Sequence, residues 1–295
     1  MRASKNHFNN PIEITNFAPM QKMKRIGMLL ITVLLISSCG EYSKVLNKGT
    51  IEEQYKMAAE MYDAKKYNKA ISLFDKITPG YRGKPQMERI QFMISDAHYQ
   101  TKQYSLSAYY FDRFTKNYPK STKREEAAFL AAHSYYLDSP VYSLDQAATN
   151  DALLALQKYI DTYPNSNRIE EANLLVKDLR YKLEKKAFET AKQFYHIEDY
   201  TAAITAFDNL ISDYLGTTFR EEAMFLKFKA SHDLALKSVF SKKEERLKAA
   251  ESAYDRLKRN YPESSYFKEG DKLMKDVNEA LAEFAPLVVT NPENK

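Results

Sequence analysis

Five times along the chain a small residue is followed four positions later by a bulky one and seven positions after that by tyrosine: Ala70/Phe74/Tyr81, Ser107/Phe111/Tyr118, Ala152/Leu156/Tyr163, Ala203/Phe207/Tyr214 and Ala250/Tyr254/Tyr261. The bulky residues stand 37, 45, 51 and 47 positions apart, so one unit recurs with insertions. Upstream of each set, aromatic, small and aromatic residues share one helical face: Tyr55/Ala58/Tyr62, Phe92/Ser95/Tyr99, Phe129/Ala132/Tyr136 and Phe188/Ala191/Tyr195, with Lys227/Ala230/Leu234 in the fifth unit. Small residues at a crossing let two backbones approach, and the bulky residue one turn away fills the space beside them, so each unit predicts a hairpin of antiparallel helices. The two small residues of a unit lie 12 positions apart in units one, two and four and 20 apart in units three and five, predicting the same eight-residue insertion in both. A repeat of this length predicts a solenoid, whose usual work is binding.

The punctuation agrees. Tyr118-Pro119-Lys120-Ser121, Tyr163-Pro164-Asn165-Ser166 and Tyr261-Pro262-Glu263-Ser264 place a proline where a helix must end and a hydroxyl before the next begins. Thr50/Glu53, Thr122/Glu125, Thr218/Glu221 and Ser241/Glu244 have capping-box spacing. Units one and four carry Arg82 and Leu215 where the others have proline, which leaves their connectors undetermined. No alternating strand-like run competes, and the body reads as all-α. The small residue, the bulky residue four later and the proline eight beyond it resemble the tetratricopeptide repeat. That resemblance implies a right-handed superhelix of five such hairpins, here with a closing helix near Ser265 to Phe284.

At the front, Met23-Lys24-Arg25 precedes an 11-residue apolar run, Ile26 to Ile36, followed by Ser37-Ser38-Cys39. The run is too short to span a bilayer and has the flanks of a signal peptide. Ile36-Ser37-Ser38-Cys39 looks like a lipobox, and Cys39 is the one cysteine of the chain, which makes it the expected lipid carrier. Acyl chains at about 0.8 kcal/mol per buried CH₂ hold a protein on a membrane without a spanning helix. The expected organisation is an N-terminal extension over 1–22, a signal peptide over 23–38, a lipidated tether over 39–49, the solenoid over 50–285 and a tail over 286–295. The leader also changes the charge: without its five bases and one acid the chain carries 39 basic and 38 acidic residues, so the net charge of +5 gives no support to nucleic-acid binding.

Catalytic chemistry finds no home in this pattern. His98, His133, His196 and His232 fall at unrelated repeat positions, with no HExxH, no second cysteine and no glycine-rich phosphate loop, so neither a metal nor a catalytic set is expected, nor a cofactor beyond the covalent lipid. The pairs Glu125-Glu126, Glu170-Glu171 and Glu221-Glu222 fall in helix first turns, where carboxylates favour the dipole. What remains is the first-helix face. Tyr55, Tyr62, Phe92, Tyr99, Phe129 and Tyr136 there either stack on an extended peptide or fill the space between hairpins.

Lipobox, five repeats and Tyr-Pro-x-Ser connectors together resemble the BamD family, the outer-membrane lipoproteins of the β-barrel assembly machine, over Cys39 to about Ala285. The resemblance implies a periplasm-facing protein anchored in the outer membrane. Its N-terminal repeats would receive unfolded outer-membrane β-barrel proteins and its C-terminal repeats the periplasmic domains of BamA. It also implies that Arg220, in Thr217-Thr218-Phe219-Arg220-Glu221-Glu222, contacts an acidic site on BamA; a first-turn arginine opposes the helix dipole and is not there for helix stability. A repeat lipoprotein scaffolding cell-wall or division proteins would share the same hairpins.

Overall fold

All ten small and bulky-partner positions of the second helices, and all five small positions of the first, are buried: Ala58, Ser95, Ala132, Ala191 and Ala230 are at most 1% exposed, as are Phe74, Phe111, Leu156, Phe207 and Tyr254. The computed structural model describes residues 40–284, which contain helices and connectors and no strand. The signal peptide, Cys39 and the tail expected over 286–295 lie outside the described residues. The chain divides into two compact units between Gln103 and Tyr104.

In the first unit, residues 40–48 form α1, followed by α2 (Ile51–Asp63), α3 (Tyr67–Ile77), a 3-10 turn (Thr78–Tyr81) and α4 (Gln86–Gln100). Much of the expected tether is thus helix, and it is held to the first hairpin. The Tyr42 hydroxyl donates to the Lys69 carbonyl (3.2 Å), and the Gln54 amide reaches the Val45 and Leu46 carbonyls (3.2 and 3.1 Å). Thr50 caps α2 with a complete capping box, its hydroxyl accepting from Glu53 N–H while the Glu53 carboxylate accepts from Thr50 N–H. The unit-one connector uses Gly83 at φ 76°, a conformation that favours glycine, where later repeats use Tyr-Pro.

The second unit runs α5 (Tyr104–Asn117), α6 (Arg124–Asp138), α7 (Ala147–Thr162), α8 (Ile169–His196), α9 (Tyr200–Asp213), α10 (Arg220–Leu236), α11 (Phe240–Asn260) and α12 (Phe267–Ala282). The third, fourth and fifth hairpins are α6/α7, α8/α9 and α10/α11, and α12 is the expected closing helix. Gly270 on α12 lies under the Tyr254 ring, where a Cβ would come within 2.5 Å of a ring carbon.

Two expectations need correction, and one connector that the sequence leaves undetermined takes a definite form. Among the four capping boxes, only Thr50/Glu53 forms. In the connectors, the hydroxyl that works belongs to the last residue of the motif: Ser121, Ser166, Thr217 and Ser264 each accept from the N–H two residues on. That short turn takes the capping role before Thr122 or Thr218 can. Second, Tyr214-Leu215-Gly216-Thr217 makes the same backbone bonds as the proline connectors (Thr217 N–H to Tyr214 O, 3.1 Å; Arg220 N–H to Thr217 O, 3.3 Å), so proline is not required. Third, the two insertions share length and not structure. Residues 139–146 form a loop, whereas the fifth repeat extends α11, which begins ten residues before Ala250; α9 begins three before Ala203. Pro140 blocks helix in the first case, and the Lys/Glu-rich run 242–248 favours it in the second.

Candidate functional site

The tight hairpins turn alike. Lys65, Lys102 and Glu198 adopt left-handed backbone (φ 57°, 60° and 61°), and each donates to a tyrosine carbonyl: Tyr62, Tyr99 and Tyr195. A tyrosine follows two residues later each time, and the rings of Tyr62 and Tyr67 and of Tyr195 and Tyr200 meet at 5.6 and 5.8 Å. This Tyr-x4-Tyr signature recurs in the sequence in the three units with short spacing, and it marks the tight turn.

The tyrosine that ends the first-helix face is also tied forward to the next repeat. Tyr62 donates a short hydrogen bond to Asp96, Tyr136 donates to Asp178 (2.9 Å) and Tyr195 to Asp233 (2.8 Å). Burial, reinforced by the aspartate, pushes each of these hydroxyls above its ordinary pKa, so each stays protonated and a donor throughout the neutral range. The aspartates were not legible as partners, since they fall 34, 42 and 38 positions downstream at no fixed interval.

The expected groove residues therefore occupy different situations. Tyr55 is half-buried and leans on Tyr81 at 5.4 Å. Phe92 and Tyr99 are half-buried on α4 of the same unit, as is Tyr62 on α2. Phe129 is only 5% exposed, packed against Tyr159 at 5.3 Å beneath the Arg168 guanidinium at 4.8 Å. That ring is a core residue of the third hairpin, whereas Tyr136 on the same helix keeps an exposed edge. The structure groups Tyr55, Tyr62, Phe92 and Tyr99 in the first unit and Phe129 and Tyr136 in the second.

Arg220 opens α10 half-buried. Its Nη1 donates to the Ile211 carbonyl at 2.8 Å, and its side chain lines a cavity of about 80 Å³ with Asp208, Met224 and Arg256. One of its donors is thus committed inside the chain, an anchor that fixes the guanidinium's position.

No helix among the described residues is long and apolar enough to cross a membrane, and no cluster of three or more histidines, cysteines and carboxylates could hold a metal among them. Stacked helical hairpins with aromatic and cationic side chains on their faces define a repeat scaffold. The chain belongs to the YfiO family, described as outer membrane lipoprotein, whose model matches residues 47–247. Comparison with curated proteins gave no match. Among solved structures, the TPR-like repeats of a putative kinesin light chain from Podosopora anserina share 12% identity at a TM-score of 0.30, covering 79% of this chain and 95% of that one. A computationally designed cyclic homo-oligomer shares 16% at a TM-score of 0.18, covering 88% and 96%. At these scores neither likeness bears on function.

Proposed function

We propose that this outer membrane lipoprotein acts in β-barrel assembly, held on the membrane by lipid on Cys39 and facing the periplasm. The N-terminal repeats offer half-buried aromatics, Tyr55, Tyr62, Phe92 and Tyr99, to the extended end of an unfolded outer-membrane β-barrel protein. The C-terminal repeats, with Arg220 at the start of α10, dock the periplasmic domains of BamA. Family membership over residues 47–247 is the observation that carries the reading. It is supported by the forward Tyr–Asp bonds, because a scaffold whose repeats are bonded to one another presents a pre-formed surface and loses less entropy on binding. Binding is passive and the chain is not an enzyme in this reading; Tyr62 in particular commits its hydroxyl to Asp96 of the next repeat and meets the client with its ring.

Affinity purification from native membranes followed by mass spectrometry tests it. BamA and the lipidated form of Cys39 are expected together, and Arg220→Glu should lower BamA recovery. Recovery of peptidoglycan or division proteins without BamA would overturn the assignment.

A further inference from the structure

The fold builds one groove twice in the second unit, with second helices of consecutive repeats as walls and the first helix between them as floor. In α5/α6/α7 it is lined by Asp112, Arg124, Ala128, Ala131, Lys158 and their neighbours; in α9/α10/α11 the same places hold Asp208, Arg220, Met224, Lys227 and Arg256. The second groove is closed by its own side chains. Lys227 pairs with Asp208 at 2.5 Å, Arg220 donates to Ile211 O, and what remains is two small cavities of about 270 and 80 Å³. In the first, alanines replace Met224 and Lys227, and a cavity of about 640 Å³ is left. Arg124, the counterpart of Arg220, has a buried Nε with no hydrogen-bond partner. A buried unpaired donor of this kind costs free energy that a partner would recover.

The charges around it are Lys116 and Lys158, both on Asp112 (2.9 and 3.4 Å), and Asp151 at the rim. Burial opposes ionisation of Asp112, but the two lysines outweigh it and hold the carboxylate below its usual range, so the trio keeps one positive charge. Counting Arg124 and Asp151 as well, the groove is cationic by one. Its floor on α6 is Ala128, Ala131 and Tyr135, its α7 side is Ala155 and the adjoining Tyr163, and Leu154 stands 70% exposed at the edge.

We propose that the α5/α6/α7 groove is a docking site for a partner protein's peptide segment in which an aspartate or glutamate sits beside a large apolar side chain. The carboxylate pairs with Arg124 and the apolar side chain fills the alanine-floored space against Tyr135 and Tyr163. The site is separate from the first-helix aromatics and from Arg220, so it stands whether or not the barrel-assembly reading does.

The test is fluorescence polarisation on the full chain in detergent, with a panel of short acetylated, amidated peptides bearing Glu flanked by Leu, Phe or Tyr, and the same panel with Gln. A charge-assisted hydrogen bond predicts that Glu peptides bind about tenfold or more tighter than Gln peptides. Arg124→Gln should erase that preference, and Ala128→Met with Ala131→Lys, which copies the closed groove, should abolish binding while circular dichroism stays unchanged. Equal affinity of the two panels, or binding that survives the filled groove, overturns the proposal. Self-association of the wild-type chain that the filled groove abolishes would assign the surface to a second copy and overturn it too.

Discussion

Repeats three and five are built to one plan and finished differently. Leu156 on α7 and Ala172 on α8 share one buried cluster; at the same places in repeat five Tyr254 on α11 lies against Gly270 on α12. The larger ring is accommodated by the smaller neighbour, and its hydroxyl then reaches Asp271 at 2.6 Å. Tyr159 on α7 donates to Glu125 (2.7 Å), which also accepts from Ser166 (2.8 Å), whereas Leu257 stands at the corresponding position of α11 with no hydroxyl to offer. The difference teaches that the repeat motif fixes backbone spacing, while volume and hydrogen bonding are balanced locally between one hairpin and the next.

The severest break in this comparison is truncation of the bulky residue. Leu156→Ala and Tyr254→Ala should each cost about 3 kcal/mol or more in urea unfolding, because both leave a cavity in a closed core. A loss below about 1 kcal/mol at either site would show that the two hairpins are not equivalently packed. Next, Gly270→Ala should cost about 1–3 kcal/mol through overlap with the Tyr254 ring. Tyr254→Leu in the same chain should return part of that loss by restoring the Leu/Ala pairing of repeat three. Strictly additive effects in the double-mutant cycle would refute volume compensation.

Smaller effects are expected from the hydroxyls. Tyr136→Phe removes the bond to Asp178 and should cost about 1 kcal/mol. In the sequence motif repeat five has Leu234 there, which carries no hydroxyl. The smallest effect is one of pH. Tyr159, then Ser166 and Arg168, hold the Glu125 carboxyl below its ordinary 4.5, despite some burial. Its contribution is therefore complete above pH 4.5 and is lost as pH falls through the lowered value, and Glu125→Gln should flatten the acid limb of the stability profile. On the alkaline side, burial raises the Tyr159 hydroxyl from 10.0 to about 12, so stability should decline as pH rises through that interval, and less so in Tyr159→Phe. Thermal melts across both limbs check the signs.

Much of the fold was legible because its signals are local. Ala or Ser paired with a residue of fixed size four later can only serve a close helix crossing, and every such pair is buried. The insertions were legible in length but not in form, since a count of residues does not distinguish the proline-broken loop 139–146 from the extended start of α11. The capping boxes misled for a related reason: Thr122 and Thr218 have the correct spacing to a glutamate, but Ser121 and Thr217 lie one position earlier and take the turn.

The candidate site was less legible. Which aromatic faces outward depends on what the next hairpin brings against it, and Phe129 and Tyr136, two turns apart on one helix, end as core and surface edge. By itself the sequence determined the helix register and the hairpin boundaries, because these follow from neighbours within a few residues along the chain. Only the tertiary structure decided that Asp96, Asp178 and Asp233 receive tyrosine hydroxyls, and that one groove stands open while its counterpart is filled. Those outcomes depend on side-chain volumes and donors that meet across tens of residues, where a periodic pattern carries no information.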